Sequence, residues 1–481
     1  MANSDTPLSF SQRAKDEIFY PNDVRLDRVI IKNGVFEIDI SALVVQINIF
    51  EDVYSNTLSG SITLADSINL IGTFPFVGLE QIQIGFKTPG FSKRDKTELL
   101  FDVYQIADRN TGSSAEGSDV TQVYSLHLIS PAFARNQKSR VLKAFSHMSI
   151  DEMVGRIIKN FLAEEVETEF TSGMQSYVIP GWTPFRAVNW LAARARPEKN
   201  PDAANYLFYE TCAGYQFRSI DSLVQQKPVA RFVYDPANTR LTKTSGDAAE
   251  RLILPELQLM RSYTIMQSGS MMERIDQGMY ASKLITHDIV TKQFSTSTFN
   301  YVEDFPKQNH IEDFIAGKNL DQSPQDSKPF PGGQRHGQNH DSVIKFHPKH
   351  TALYDGVPDY DESEKWLLQR MSHMRQIESM RVKIEIPGLN FLSAGETVVL
   401  EVPRPENVDG REHPDDRDPE VSGNYLITNI HHILSFTDHH MVLELSKESL
   451  PASSNQDRAD IANAVSSSET FGGTTVLERL A

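Results

Sequence analysis

The sequence predicts an α+β protein in which two antiparallel β units accompany a mixed helical middle. Three observations carry this. A turn–strand–loop–strand–loop–strand pattern occurs twice, from Gly78 to Ser130 and again from Gly395 to Ser446. Apolar residues alternate with period two through both copies, as in strands with one buried face. Between the copies, apolar residues fall at helical spacing behind helix-start signals. A unit present twice lets one chain offer two similar docking surfaces. That points toward an assembly component and away from a single catalytic pocket.

Residues 1–24 lack periodicity and read as an N-terminal arm. From 25 to 132 strands dominate. Phe36, Ile38, Ile40, Ala42 and Val44 share one phase, and Val45, Ile47 and Ile49 the other, so a bend or bulge is expected between Val44 and Val45. Leu58, Ile62 and Leu64 follow, then Ile82, Ile84 and Phe86, then Phe101 and Val103, then Tyr124, Leu126 and Leu128. Pro89-Gly90 and the Gly112–Gly117 stretch supply the turns. Ser149-Ile150-Asp151-Glu152 reads as a capping box opening a helix whose apolar face carries Met153, Val154, Ile157, Ile158, Phe161 and Leu162. A second helix starts at Thr183-Pro184, with Thr183 as N-cap. A hairpin is expected over Tyr206–Phe217, and a turn or short helix at Ser219–Leu223. The long polar stretch 305–361 is unpatterned, and a helix carrying Trp366, Leu367, Arg370, Met371, Met374 and Ile377 ends it. Val382, Ile384 and Ile386 lead into the second β unit, and 449–481 reads as a flexible tail.

Length and composition bound the function. A chain of 481 residues implies two to four domains. A net charge of −17 argues against a nucleic-acid clamp, which needs Lys/Arg stripes. It suits solubility, and also a conduit that must not bind what passes through it. Cys212 is the one cysteine, so no intrachain disulfide forms and a reducing compartment is expected. No apolar run approaches the roughly 20 residues of a membrane span. The polar start, Met1 to Phe10, is unlike a secretory signal, so any export uses another route, such as incorporation into a particle.

Several segments resemble baseplate hub proteins of contractile-tailed (myovirus) bacteriophages. They are Ile49–Asp66, Leu70–Gly72 with Phe74–Glu80, Ile179–Phe185, and Tyr206–Phe217. The similarity extends over roughly residues 28–448 and rests on the order of the segments. The resemblance implies two tube-protein-like antiparallel β-barrel domains and a mixed middle domain in a ring-shaped homotrimer, the six barrels joining a three-fold central spike to a six-fold tail tube. It places the first barrel at 25–132. The second combines 203–240 with 376–448, and the middle domain combines 133–202 with 241–375. Implied partners are the tail tube protein and the central spike protein, with tape measure and baseplate wedge proteins as further candidates. The implied location is the virion tail baseplate, assembled in the host cytoplasm. The insertions 305–361 and 403–422 carry no implied role.

Competing chemistry is weak, and no catalytic, cofactor or metal residue is assigned. His310, His336, His340, His347 and His350 cluster in sequence, and His336 and His340 have the i,i+4 spacing of helical metal ligands. Gly332, Gly333 and Gly337 argue against a helix there. His431-His432 and His439-His440 lie on expected strands, where adjacent side chains point to opposite faces. The charged loop 409–418 lacks EF-hand spacing. Gly332–Arg335 lacks the strand, helix and Lys-Ser/Thr of a phosphate loop, and no nucleophile elbow occurs. Trp182 and Trp190 read as core packing before sugar stacking. The expected role is structural and non-enzymatic. Alternatives are the hub of a contractile injection or type VI-like spike and, from a different class, a tail-associated cell-wall hydrolase.

Overall fold

The computed structural model describes residues 21–34, 36–74, 76, 78, 80–89, 97–111, 121–235, 257–268, 271–311, 340–349, 362–403, 417–418 and 421–448. The first β unit holds β1 (Arg25–Asn33), β2 (Phe36–Asp39), β3 (Val44–Asp52), β4 (Ser59–Asp66), β5 (Gln81–Lys87), β6 (Thr97–Thr111) and β7 (Gln122–Ile129), in spatial order β3-β4-β7-β6-β5-β1-β2. The alternation expected to run unbroken from Phe36 to Val44 is interrupted by a 3-10 turn at Ser41–Leu43. Asp39 causes the break: its carboxylate accepts the Ser41 N–H and hydroxyl at 2.9 and 2.6 Å, pinning a local turn. The phase switch is a bulge between Val44 and Gln46. It swings Ile47 and Ile49 into a core shared with Ile62, Ile84, Phe86 and Leu126.

The middle contains β8 (Val141–Met148), β9 (Val166–Thr168), β10 (Gln175–Trp182), β11 (Tyr206–Thr211) and β12 (Gly214–Ser219). β8 pairs β10, and β9, β12 and β11 form a small sheet. Helix Ile150–Ile157 continues through a π turn at Ile158–Leu162 and packs its apolar face against helix Pro184–Arg194. Neither helix uses the cap expected of it. Ser149 and Thr183 make no side-chain capping bond. Instead Thr171 Oγ1 accepts the N–H groups of Ile150 and Asp151 at 3.0 and 3.2 Å, and Asn136 Oδ1 accepts that of Phe185 at 2.8 Å. Caps supplied across the fold satisfy the same orphan donors as local ones. Trp182 and Trp190 meet edge to face at 5.6 Å beside this core, with Arg186 and Arg194 over their rings.

The second β unit contains β13 (Ala230–Val233), β14 (Ser262–Ser268), β18 (Met380–Pro387), β19 (Thr397–Glu401), β20 (Gly423–Leu434) and β21 (His439–Lys447). Between β14 and β18 lie β15 (Ala281–Asp288), β16 (Phe294–Asn300) and β17 (Ile344–Lys349), a separate three-stranded sheet, and helix Ser363–Gln376. The hairpin β11–β12 hydrogen-bonds to β9, but its two faces serve two cores. Tyr206 and Phe208 join the middle, while Leu207 and Tyr209 join the second β unit.

The repeat read in the sequence is a duplicated strand arrangement. β5-β6-β7 and β19-β20-β21 are both antiparallel meanders. Val103 N–H donates to Glu80 O at 2.9 Å, and Ile427 N–H to Glu396 O at 2.8 Å. Immediately after, β6 bulges between Val103 and Gln105, and β20 between Ile427 and Asn429. Outward from the meanders, β4 lies on β7 as β18 lies on β21, and β3 on β4 as β14 on β18.

The two copies do not form two separate closed barrels among the described residues. They join in one open 13-stranded sheet, β14-β18-β21-β20-β3-β4-β7-β6-β5-β1-β2, with β19 and β13 branching from β20. The cause is the bulge in β20. Before it, Gly423–Leu426 pairs β19; after it, Asn429–Leu434 turns away and pairs antiparallel with Ile47–Asp52 of β3. No helix among the described residues is long and apolar enough to cross a membrane.

Candidate functional site

The β3–β20 seam is where the two copies and the middle meet, and one buried side chain holds all three. Glu51 of β3 is fully buried. Its Oε1 accepts the N–H of Cys212, in the turn of the β11–β12 hairpin, at 3.0 Å. Its Oε2 accepts the N–H of Ala394, just before β19, at 2.8 Å. Its Oε1 also lies 3.5 Å from His432 Nε2 on β20. His432 Nδ1 in turn approaches His439 Nε2 at 3.3 Å, and Phe86 sits edge-on to His439 at 5.7 Å. Gly388 makes the seat for His439, since a Cβ there would lie 2.1 Å from the ring. On the opposite face of the seam, His431 stacks on Phe50 at 4.3 Å and bonds Asn48 Oδ1 at 3.0 Å.

Each histidine pair therefore splits between faces, as strand geometry demands. The sequence reading missed the next step: the two inward members come together from different strands. In the β20–β21 register His432 lies opposite Met441 and Leu434 opposite His439, so His432 and His439 are diagonal neighbours on one face. The Glu-Asp run at 51–52 on a strand otherwise rich in Val, Ile and Phe was the available signal.

The Glu51, Cys212 and His432 ligand atoms lie within 4.8 Å of one another, so a metal reading requires a test. The donor chemistry disfavours it. Both Glu51 oxygens already accept backbone N–H groups, and burial, with the Glu51 charge beside it, pushes the Cys212 thiol well above its ordinary value. The cluster reads as a hydrogen-bonded junction. Of the histidine-rich stretch, His310 stacks on Phe305, His340 Nδ1 meets Phe299 O, and His347 lies on β17; these three do not converge. His336, His350, Gly332–Arg335, most of 403–422 and the tail 449–481 lie outside the described residues, as do residues 1–20 of the arm.

Protein-family models and curated proteins give no match to the chain. Solved structures do. A tail protein from Neisseria meningitidis MC58 is similar over 88% of this chain and 96% of its own, at 10% identity and TM-score 0.49. The 43 kDa tail protein of prophage MuSo2 from Shewanella oneidensis is similar over 88% and 98%, at 10% identity and TM-score 0.47. An E. coli component of the type VI secretion system, itself described as similar to the T4 bacteriophage tail proteins gp27 and gp5, is similar over 89% and 77%, at 9% identity and TM-score 0.37. The chain resembles phage tail and type VI proteins in structure. At these identities the functional reading comes from its own residues.

The junction makes stability depend on pH. Burial, with His432 and His440 nearby, holds His439 well below the ordinary histidine value. Burial and the same histidines bring His431 down to about 4. Burial alone would raise the Glu51 carboxyl, but His432 and the donors at Cys212 and Ala394 outweigh it and hold it below its usual range. All three are depressed in the folded state. The histidines' contribution is complete above roughly pH 6.5 and is lost as pH falls toward their folded values. Glu210 opposes them: burial raises it to about 7, so its contribution grows as pH falls. The urea midpoint is expected to fall from pH 7.5 to 5.5 and to fall more steeply in Glu210→Gln. A midpoint in that variant that is flat or rises on acidification contradicts the assignment.

Proposed function

We propose that this protein is a structural, non-enzymatic hub of a phage contractile tail, adapting a three-fold central spike to a six-fold tail tube. The observation that carries the reading is the duplication: two β units with the same strand order and the same bulge, rigidly joined through β3 and β20. A trimer of such chains offers six similar units, which is what a three-to-six adaptor requires. The order of the segments that resemble baseplate hubs, Ile49–Asp66 foremost, supports the same reading. The proposed partners are a second and third copy of this chain, the tail tube protein and the central spike, with tape measure and wedge proteins as further neighbours; the proposed location is the virion baseplate. We keep the domain division of the sequence reading, the 203–240 segment included, as part of this proposal.

Native mass measurement tests it. The expected result is a trimer of the 54.2 kDa chain that binds purified tube protein. A monomer at every concentration refutes the hub, and a monomer that clears peptidoglycan suspensions favours a hydrolase instead.

A further inference from the structure

The three-stranded sheet β16-β15-β17 has one covered face and one open face. Ser282, Leu284 and Thr286 of β15 are buried beneath helix Ser363–Gln376, where Leu284 packs with Phe299 and Leu368, and Thr286 donates to Glu364 at 2.8 Å. The alternate residues form the other face. By register His287 lies between Phe294 and Pro348, Ile285 between Thr296 and Phe346, and Ile344 beside Lys283. His287 stacks on Phe294 at 4.2 Å. Even so, Phe294 is 67%, Phe346 61% and Ile344 52% exposed. Apolar side chains gathered on one face in water mark a contact surface, because soluble chains rarely leave such a patch uncovered.

The points where the chain leaves the described residues decide what can reach this face. Residues 312–339 and 350–361 flank β17, but their ends are tied away from it. Ile311 joins the core of the second β unit, His340 Nδ1 meets Phe299 O, and Lys349 pairs with Glu364 of the covering helix at 3.1 Å. Residues 449–481 have no second end to satisfy. They start from Glu448, whose Oε1 accepts the Ile311 N–H at 2.8 Å and lies 3.4 Å from Nδ1 of His310, which stacks on Phe305 of the same inserted unit. From 451 to 470 the sequence is mostly Ser, Ala, Asn and Asp; Phe471, Val476, Leu477 and Leu480 then follow close together. Fully extended, residues 449–470 reach roughly 70 Å, and a strand the length of β15 spans about 27 Å, so the apolar cluster can reach the face. Glu469 and Glu478 bracket the cluster, and Lys283 and Lys292 stand at the two ends of the face. Lys283 is already bound to Asp341, which leaves Lys292 as the cation for those acids.

We propose that the segment Phe471–Leu480 docks on the open face of the β16-β15-β17 sheet of its own chain, its apolar residues covering Phe294, Phe346 and Ile344. The polar stretch before it serves as the link from Glu448. Burial of both apolar sets drives the contact, and the acids beside Lys292 orient it. The assignment does not rest on the hub reading.

Two measurements on the full chain test it. In the first, Phe346 is replaced by the photo-cross-linker p-benzoylphenylalanine, the protein is irradiated, and the linked peptides are mapped by mass spectrometry. The expected product joins position 346 to residues 471–480 within one chain. In the second, Phe294→Cys is labelled with a maleimide, with and without Phe471→Lys and Leu477→Lys. Burial, with Glu51 beside it, holds the thiol of Cys212 well above its ordinary value, so this native cysteine reacts slowly and position 294 is read separately. Labelling at 294 is expected to be at least tenfold faster when the two lysines are present, because they uncover the face. Cross-links to 312–339, to 350–361 or to a second copy overturn the assignment, and so do equal labelling rates with and without the lysines.

Discussion

Replacing Glu51 with alanine is expected to destabilise the protein by about 3–5 kcal/mol, the range for removing one partner from a buried charged network. The substitution strands the N–H groups of Cys212 and Ala394 beside the space a buried carboxylate filled, and leaves His432 Nε2 facing a void. Each abandoned buried donor costs about 1–3 kcal/mol. Glu51→Gln is nearly the same shape, yet its amide nitrogen would meet one of the two backbone donors, so about 2–3 kcal/mol is expected from a single mismatched donor. The loss also has a location. Glu51 connects the first β unit to the hairpin turn at 212 and to the turn before β19. Hydrogen exchange should therefore rise at Cys212 and Ala394 in both variants before it rises in the core of the first unit. A denaturation midpoint within 1 kcal/mol of wild type, or unchanged exchange at these two amides, would remove Glu51 as the holder of the junction.

Local pattern and long-range pairing were unequally legible. Alternation identified the strands around Ile62, Ile84, Leu126 and Ile384 because their burial follows from period two alone. It also found the kink near Val44, where the apolar phase changes. The duplication was visible as two similar runs, and the structure gives them the same bulge. What alternation cannot specify is which edge pairs with which. β3 and β20 lie nearly 400 residues apart in sequence and meet through backbone groups every strand possesses. There the described residues depart from two barrels: they show antiparallel units as expected, but joined in one open sheet. The capping assignments failed for a related reason: Ser149 has the right chemistry at the right place, but Thr171 reaches the same donors from across the fold. Glu51, His432 and His439 come from two separated segments and converge only after the seam has formed. No window of sequence contains the site.

Gly60→Val is expected to be comparably damaging, costing upwards of about 3 kcal/mol or preventing soluble expression. A Cβ at position 60 would lie 2.6 Å from the carbonyl oxygen of Asn48, which is backbone of the paired strand β3 and cannot rotate aside. The second copy shows what a side chain there requires. The equivalent of Gly60 is Val382, fully buried, and the strand beside it, β14, bulges between Ile265 and Gln267 where β3 runs in regular register past Gly60. Extra backbone in β14 gives Val382 its room. β3 has no such freedom at that point, because its other edge is already committed to β20 from Ile47 to Asp52. A bulge introduced opposite residue 60 would shift the register of that seam and carry Glu51 away from Cys212 and Ala394. The strain is therefore expected to appear as loss of the junction as well as of local pairing. Gly60→Val should combine less than additively with Glu51→Ala, since both break the same contact. Gly60→Ala should fall between wild type and valine, and full additivity of the valine and Glu51→Ala losses by denaturant titration would show that the strain stays within β4. The glycine in one copy and the valine in the other thus mark which β3-like strand is paired on both edges and which meets a described strand, β18, on one edge alone.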